Sequence, residues 1–295
     1  MDRVALPGTV ERISRLTLGT AGFGGWTDEQ TAIRLVHRAL DEGLNVIDTA
    51  ASYGASEEIV GKALVGRRES VLVATKVSPS VDGPPGHVFS AGDLVASAER
   101  SLRRLRTDRI DIFQLHDPLV ETPAGEIVAA IDRLIADGKV RFFGVCNHDV
   151  AQLAALLTLA KGAPRCRLVT VQNQYNLLDC SLGEAVFPFC RRRGIGFLAW
   201  SPLAGGLLGG RYGASSPAPY RSRYAGGYWL PHEDPISVLP KVDGFRAAAA
   251  DLGLSLPQMA LGWLLAETSV TSLVIGPRSA FQLDLYLTAA TMRHI

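Results

Sequence analysis

The chain has 295 residues, 47% of them hydrophobic and 20% charged, the balance of a folded globular protein and not of a disordered one. Its 30 Lys and Arg against 29 Asp and Glu leave a net charge of +1, which excludes a strong global electrostatic case for nucleic acid or an acidic membrane surface as partner. No apolar run approaches the roughly 20 residues of a membrane helix; the best, Leu153–Ala160, is broken by Thr158 and ends at Lys161. Met1-Asp2-Arg3 leads to Pro7-Gly8 before any signal-peptide core, so a cytoplasmic location is expected. Cys146, Cys166, Cys180 and Cys190 form no C-x-x-C pair and read as buried or half-buried thiols of a reducing compartment.

In chain order, short β-branched or apolar runs alternate with amphipathic stretches of helix length. A hairpin over Val10–Leu18 leads into a strand at Leu16–Thr20, then a helix at Asp28–Glu42 and a strand at Leu44–Asp48. Helix Glu57–Val65, strand Val71–Lys76, helix Gly92–Leu105, strand Ile110–His116, helix Ala124–Asp137 and strand Val140–Cys146 follow. Next come helix Ala151–Ala160, strand Leu168–Gln172, helix Leu182–Arg193 and strand Ile195–Trp200. A Gly/Pro/Ser-rich stretch, Leu203–Pro235, interrupts the rhythm and carries Tyr212, Tyr220, Tyr224, Tyr228 and Trp229; a loop of that length is usually functional. Helices Ser237–Leu252 and Leu256–Glu267, strand Ser272–Ile275 and helix Ala280–Ala289 complete the chain.

Thr27-x-x-Gln30, Ser255-x-x-Gln258 and Ser279-x-x-Gln282 fit the capping-box pattern at helix starts, and Gly43, Gly138, Gly194 and Gly253 stand where helices should stop. Eight strands alternating with helices are the arithmetic of an α/β fold of the (β/α)8 TIM-barrel type, one domain over residues 1–295 with the hairpin across its bottom. An open dinucleotide-binding sheet would alternate too, but its G-x-G-x-x-G turn is missing; Gly19, Gly22, Gly24 and Gly25 have the wrong spacing.

In such a barrel the C-terminal strand ends face the mouth where chemistry occurs, and period-two alternation selects the inward residues. Leu44, Val46 and Asp48 share parity on one strand, Leu72, Ala74 and Lys76 on the next, and Ile110, Ile112, Gln114 and His116 on the third. Each series is mostly apolar below and ionisable at its tip. Each tip residue alone has an ordinary structural explanation; three at matching depth favour an acid/base site. Tyr53, five residues past Asp48, adds a phenol whose pKa a neighbouring Lys76 should lower from about 10 toward the working range, with Asp48 holding the lysine charged.

These residues amount to a family resemblance. Gly43-Leu-Asn-Val-Ile-Asp48-Thr-Ala-Ala-Ser-Tyr53-Gly54, Ala74-Thr-Lys76, Ile110-Asp-Ile-Phe-Gln-Leu-His116 and Gly138-Lys-Val-Arg-Phe-Phe-Gly-Val-Cys-Asn147 resemble, in order and spacing, the motifs of aldo-keto reductases. Val171-Gln172-Asn-Gln-Tyr-Asn176, Trp200-Ser-Pro-Leu203 and Val274-Ile-Gly-Pro-Arg278-Ser279 extend the likeness over essentially the whole chain. The resemblance implies an NAD(P)H-dependent carbonyl reductase with catalytic Asp48, Tyr53, Lys76 and His116, Tyr53 being the proton donor and His116 orienting the carbonyl. It implies that Trp200 stacks on the nicotinamide, that Asn147 and Gln172 bond its carboxamide, and that Gly19, Thr20 and Asp48 lie near the cofactor's inner half. Ser201, Leu203 and Gly205 would cover the pyrophosphate, and Gly276, Arg278 and Gln282 the adenosine 2′-phosphate and adenine. No metal is called for.

Two positions depart from the family pattern. Tyr286 stands where members often carry an adenine-contacting Asn, and Cys146 replaces a Ser, removing one possible carboxamide hydrogen bond. Arg278, with no Asp or Glu between Gly276 and Phe281, points to NADPH in preference to NADH. The expected partner is a small-molecule carbonyl substrate, shaped by the loops Val77–Ser90, Asp117–Pro123 and Leu203–Pro235; the loop aromatics suggest an apolar or aromatic-bearing one. An NAD-linked sugar or alcohol dehydrogenase, a cofactor-binding regulatory subunit with incidental turnover, and a carbohydrate-binding barrel without redox chemistry are the alternatives.

Overall fold

In the computed structural model, residues 1–78, 89–119, 121–212 and 235–292 are described. Most of the Val77–Ser90 loop, and of the Leu203–Pro235 stretch all the aromatics but Tyr212, lie outside them. Strands β1 (Arg3–Ala5) and β2 (Arg12–Ser14) form an antiparallel pair. Eight parallel strands then close on themselves in chain order: β3 (Leu16–Gly19), β4 (Val46–Asp48), β5 (Leu72–Val77), β6 (Ile110–Leu115), β7 (Val140–Cys146), β8 (Leu168–Gln174), β9 (Gly196–Trp200) and β10 (Val270–Ile275), with β10 pairing back to β3. Helices α1 (Glu29–Asp41), α2 (Ser56–Ala63), α3 (Ala91–Leu105), α4 (Ala124–Ala136), α5 (Val150–Ala160), α6 (Ser181–Arg193), α7 (Pro235–Asp251), α8 (Leu256–Ala266) and α9 (Ala280–Thr291) lie between and after them. The expected (β/α)8 barrel is the observed fold.

The strands read as near-continuous apolar runs because both faces of the sheet are covered. Outward residues such as Ile47, Val73, Phe113 and Phe143 join the helices in one large apolar cluster. Inward Val46, Leu72, Ala74, Ile112, Leu198 and Val274 form a second cluster inside the barrel. The alternation therefore holds from the second rung upward. Leu44 and Ile110, at the strand feet, pack with the outer cluster instead, because the lowest interior space is filled from elsewhere.

That filler is the hairpin. Leu6 and Ile13 are fully buried and belong to the inner cluster, and Asn45, at the foot of β4, accepts from Ser14 N at 2.8 Å and donates to Arg12 O at 2.8 Å. The hairpin plugs the bottom as expected, but its arms are Arg3–Ala5 and Arg12–Ser14 and not Val10–Leu18, since Leu16–Leu18 pair in the barrel wall. A polar tip at the barrel mouth and an apolar plug at its floor confine the chemistry to one end.

Helix starts follow local chemistry with one correction. Asp28, not Thr27, caps α1 by accepting from Thr31 N at 2.9 Å; Thr27 is buried in the turn before it, and a carboxylate at a helix N-terminus also meets the helix dipole favourably. Gln258 Oε1 accepts from Ser255 N at 2.9 Å. Ser279 accepts from Gln282 N at 3.3 Å, while Gln282 reaches one residue further back, accepting from Arg278 N at 2.8 Å. Gly43, Gly138, Gly194 and Gly253 all adopt positive φ, as helix-terminating glycines do.

Candidate active site at the barrel mouth

At the mouth the strand tips bring together what the alternation placed there. Lys76 Nζ donates to Asp48 Oδ2 at 2.7 Å and to the Thr49 carbonyl at 3.0 Å, and lies 3.4 Å from Tyr53 Oη. The His116 ring, one residue beyond β6, meets the Tyr53 ring edge-on with centroids 5.6 Å apart. The four residues singled out for catalysis thus share one small volume. The tyrosine reaches it through a short turn: Ala51 N donates to Lys76 O at 3.1 Å, Tyr53 N to Ala50 O at 3.1 Å, and Ser56 N to Tyr53 O at 3.1 Å. Glu57, buried at the start of α2, accepts from Thr75 Oγ1 at 2.5 Å and Arg104 Nε at 2.6 Å. It ties the helix that follows Tyr53 to the strand that carries Lys76.

The Asp48 carboxylate is buried yet fully engaged, as a buried charge must be. Its Oδ1 accepts from Gln172 Nε2 at 2.8 Å and, at 3.4 Å, from Gln114 Nε2. The Cys146 thiol faces the amide oxygens of the same two glutamines, 3.5 Å from Gln172 Oε1 and 3.8 Å from Gln114 Oε1. Strand parity makes Gln114 an inward residue but assigns it no role. Its parity with His116 was the available signal, and only the assembled barrel shows that it meets Asp48.

Electrostatics correct one expectation. Burial raises the Tyr53 phenol to a pKa of about 12; Lys76 does pull it down, but less strongly, and Asp48 works against that pull. Burial disfavours the Lys76 ammonium, yet the Asp48 carboxylate and the Tyr53 oxygen more than reverse this and hold its pKa above the ordinary lysine value. His116 is pushed down to about 3 by burial and by the Lys76 cation. The resting site is therefore a neutral phenol, an ammonium paired with a carboxylate, and a neutral imidazole.

Two histidines carry a stability consequence. His148, buried with Nδ1 2.6 Å from the Cys146 carbonyl, is also lowered, chiefly by burial. His116, at about 3, stays neutral in the fold but protonates in the unfolded chain near pH 6.5, and the lowered His148 acts in the same direction. The unfolded state then binds more protons below that pH, so stability falls with decreasing pH by up to about 1.4 kcal/mol per pH unit from His116. Urea midpoints should decline from pH 7 to 5, and His116→Asn should make that slope shallower by about one proton's worth; an unchanged slope contradicts the burial argument.

From the mouth, a cleft of about 680 Å3 extends outward past the ends of β9 and β10. It is lined by Gly19, Thr20, Asp48, Asn147, Gln172, Trp200, Ser201, Leu203, Gly205, Gly276, Arg278 and Gln282, all of the residues assigned to the cofactor from sequence, and by Tyr286. Close approach explains Gly19: a Cβ there would meet Val274 Cγ1 at 2.9 Å and the Ile275 carbonyl at 3.1 Å. Asn147 and Ser201, both at positive φ without being glycine, store strain at strand ends, a feature that gathers at functional sites. Asn147 Nδ2 donates to His116 O and Asp117 Oδ1, each at 3.0 Å, and its Oδ1 accepts from Trp200 Nε1 at 3.1 Å. Ser201 Oγ accepts from Gly205 N at 3.1 Å and shapes the loop between them.

Thr20 lines the cleft and is also tied to the Asp48 backbone. Its hydroxyl donates to Asp48 O at 2.9 Å and meets Ser56 Oγ at 2.7 Å, and its N–H also donates to Asp48 O. It braces the Asp48 backbone and offers the cleft only its surface.

At the far end, Arg278 stacks on the exposed Trp26 ring, 4.7 Å from its centroid. Burial lowers the Arg278 pKa, and the nearby Arg211 cation adds to this. Among the described residues neither arginine makes an ion pair, while Asp284 turns to Arg38 at 2.8 Å. Two adjacent guanidinium groups without a carboxylate make a place for an anion. Tyr212, one of the loop aromatics named from sequence, lines this cleft as well, and so do Trp26, Arg211 and Phe281, to which sequence reasoning gave no role; Trp26 and Arg211 are set by loops whose path has no period, and Phe281 by the first turn of α9.

Comparison with known proteins fits this geometry. Residues 15–293 match the Aldo/keto reductase family. The chain is 36% identical to an uncharacterized oxidoreductase, YrpG, of Bacillus subtilis (strain 168), over 96% of this chain and 89% of that one. It is 33% identical to the aldo-keto reductase YhdN of the same organism, over 96% and 87%. It is 32% identical to a probable voltage-gated potassium channel subunit beta of Oryza sativa subsp. japonica, over 90% and 84%. Among the described residues no helix is long and apolar enough to cross a membrane. The chain belongs to the aldo/keto reductase family and is an NAD(P)H-dependent oxidoreductase.

Proposed function

We propose that the protein reduces an aldehyde or ketone to the alcohol with NADPH, Tyr53 acting as general acid. The observation that carries this reading is the Lys76 ammonium, held by Asp48 at 2.7 Å and lying 3.4 Å from the Tyr53 hydroxyl at the closed end of the cleft.

The cleft fits a nicotinamide dinucleotide. Trp200 supplies a flat aromatic wall at the mouth; the Asn147 and Gln172 amide oxygens each keep a lone pair beyond the bonds described, enough to accept from a carboxamide. The Ser201–Gly205 loop covers the middle, and Gly276 is open, with nothing within 4 Å of a built Cβ. The adenosine end offers Arg278, Arg211 and the Tyr286 ring, which would meet the adenine at the position where members of the family often carry Asn. When bound, the cofactor supplies a hydride to the carbonyl carbon.

The chain's own residues do the rest. Negative charge grows on the carbonyl oxygen, and hydrogen-bond donors preorganised at that point stabilise it. Tyr53, protonated across the physiological range, transfers its proton there; even at a pKa of about 12 it is more acidic than an alcohol, which is about as weak an acid as water at about 15.7. Lys76 stabilises the phenolate left behind, Asp48 keeps Lys76 in place, and His116 donates a second hydrogen bond to the oxygen.

Following NADPH absorbance with a panel of aldehydes and ketones tests the reaction. Arg278→Ala tests the cofactor. A charge-assisted contact to the 2′-phosphate is worth about 1.5–3 kcal/mol, or about 10–100-fold in affinity. The variant should weaken NADPH by that factor while barely changing NADH; equal losses for both cofactors would mean that Arg278 does not read the phosphate.

A second reading has a specific observation behind it. Relatives in Oryza sativa and Arabidopsis thaliana bear the name of probable potassium channel beta subunits, and a regulatory subunit would keep the same site with slow turnover. Strong cofactor binding with negligible turnover across the panel would favour it.

A further inference from the structure

His116 has two ring nitrogens, and the structure tells them apart. Nδ1 lies 3.2 Å from Ser52 Oγ, whereas Nε2 has no hydrogen-bond partner among the described residues and the ring lines the cleft beside Tyr53. The imidazole is neutral, so it carries a single N–H. Which nitrogen bears that proton decides whether His116 meets the reacting oxygen with a donor or with a lone pair. An oxygen gaining negative charge is stabilised only by the donor.

Ser52 is the only described hydrogen-bond partner of Nδ1, and its hydroxyl rotates to donate or accept. The hydroxyl has no other partner among the described residues. It is delivered rigidly, since the turn that carries it is anchored by Ala51 N to Lys76 O at 3.1 Å and Tyr53 N to Ala50 O at 3.1 Å. The same turn thus places the acid on one side of the imidazole and a hydroxyl on its Nδ1.

We propose that Ser52 donates its hydroxyl hydrogen to Nδ1 of His116 and so holds the imidazole in the Nε2–H tautomer, with its one N–H directed to the substrate oxygen. Ser52 is then a positioning residue that acts through His116. The inference rests on the role given to His116 above. The two forms interconvert by loss of the proton from one ring nitrogen to water and its return to the other, with no net change in charge; the hydroxyl only selects between them. One neutral hydrogen bond shifts an otherwise even tautomer ratio to about 5:1, so losing it lowers the Nε2–H fraction, and with it kcat, by about 2-fold.

The test uses the full-length protein labelled with 15N-histidine, the His116 signals being identified by their loss in His116→Asn. Wild type should show Nε2 as the protonated nitrogen and Nδ1 as a hydrogen-bond acceptor. Ser52→Ala should show a tautomer mixture and a fall in kcat of about 2-fold at unchanged cofactor KM, and Ser52→Thr should restore both. Protonated Nδ1 in wild type overturns the proposal. So does an unchanged tautomer pattern in Ser52→Ala, including the case where only the KM for the carbonyl substrate rises, which would place Ser52 against the substrate itself. The nitrogen spectrum does not depend on turnover, whereas failure of the reductase reading would appear as no NADPH oxidation by the wild type with any carbonyl of the panel.

Discussion

Tyr53→Phe is expected to lose about 10²–10⁴-fold in kcat for carbonyl reduction, the range of a general acid's contribution, with cofactor affinity nearly intact. The substitution removes one oxygen from a buried ring. The edge-on packing against His116 at 5.6 Å and the Lys76 position over the ring, 4.9 Å from its centroid, do not depend on that oxygen. What disappears is a donor needed only once charge has developed on the substrate, so the loss falls on kcat and not on binding. The wild-type profile should carry the same signature. With Tyr53 at about 12 and His116 at about 3, neither group titrates near neutrality, and kcat for reduction should be flat from about pH 5 to 9. A Tyr53→Phe enzyme with more than half the wild-type kcat, or a histidine-like step near pH 6.5, contradicts the assignment.

Lys76→Met is expected to cost about 3–5 kcal/mol of folding stability, the usual consequence of removing one partner from a buried ion pair. The Lys76 and Asp48 side chains are only 1% and 3% exposed. Methionine fills much of the lysine volume, so the loss reports the uncompensated carboxylate and not a cavity. Gln172 and Gln114 still donate to Oδ1, but Oδ2 loses its ammonium. The double variant Lys76→Met/Asp48→Asn removes the stranded charge and should regain most of the stability, because neutral groups of similar volume often replace a buried pair at little cost. It should remain inactive, since nothing is left to stabilise the Tyr53 phenolate. Denaturant midpoints of the three proteins decide this, and a single variant as stable as wild type would show that the pair is not what the buried geometry implies.

The sequence by itself determined the barrel. Strand–helix alternation is local, strand parity is local, and stop signals such as Gly43 and Gly194 act within a single turn, so Val46/Asp48, Ala74/Lys76 and Ile112/Gln114 were legible as inward pairs before any contact was known. The same logic placed Asp48, Lys76 and His116 at one mouth, with Tyr53 close by in the loop five residues past Asp48. What only the tertiary structure decided depends on distance through space and on the dielectric. Lysine beside tyrosine suggested a lowered phenol pKa, but burial outweighs that attraction and raises it, and depth is a property of the closed barrel. The Gln114–Asp48–Gln172 bonds span 66 and 124 residues of chain, the Ser52–His116 contact spans 64, and the stacking of Arg278 on Trp26 joins the two ends of the sequence. The cap at Asp28 and the true arms of the hairpin were decided by what the neighbouring backbone had already paired with. Periodicity records which face a side chain takes; only the folded chain sets which partner it meets there, because that partner comes from a segment with its own independent period.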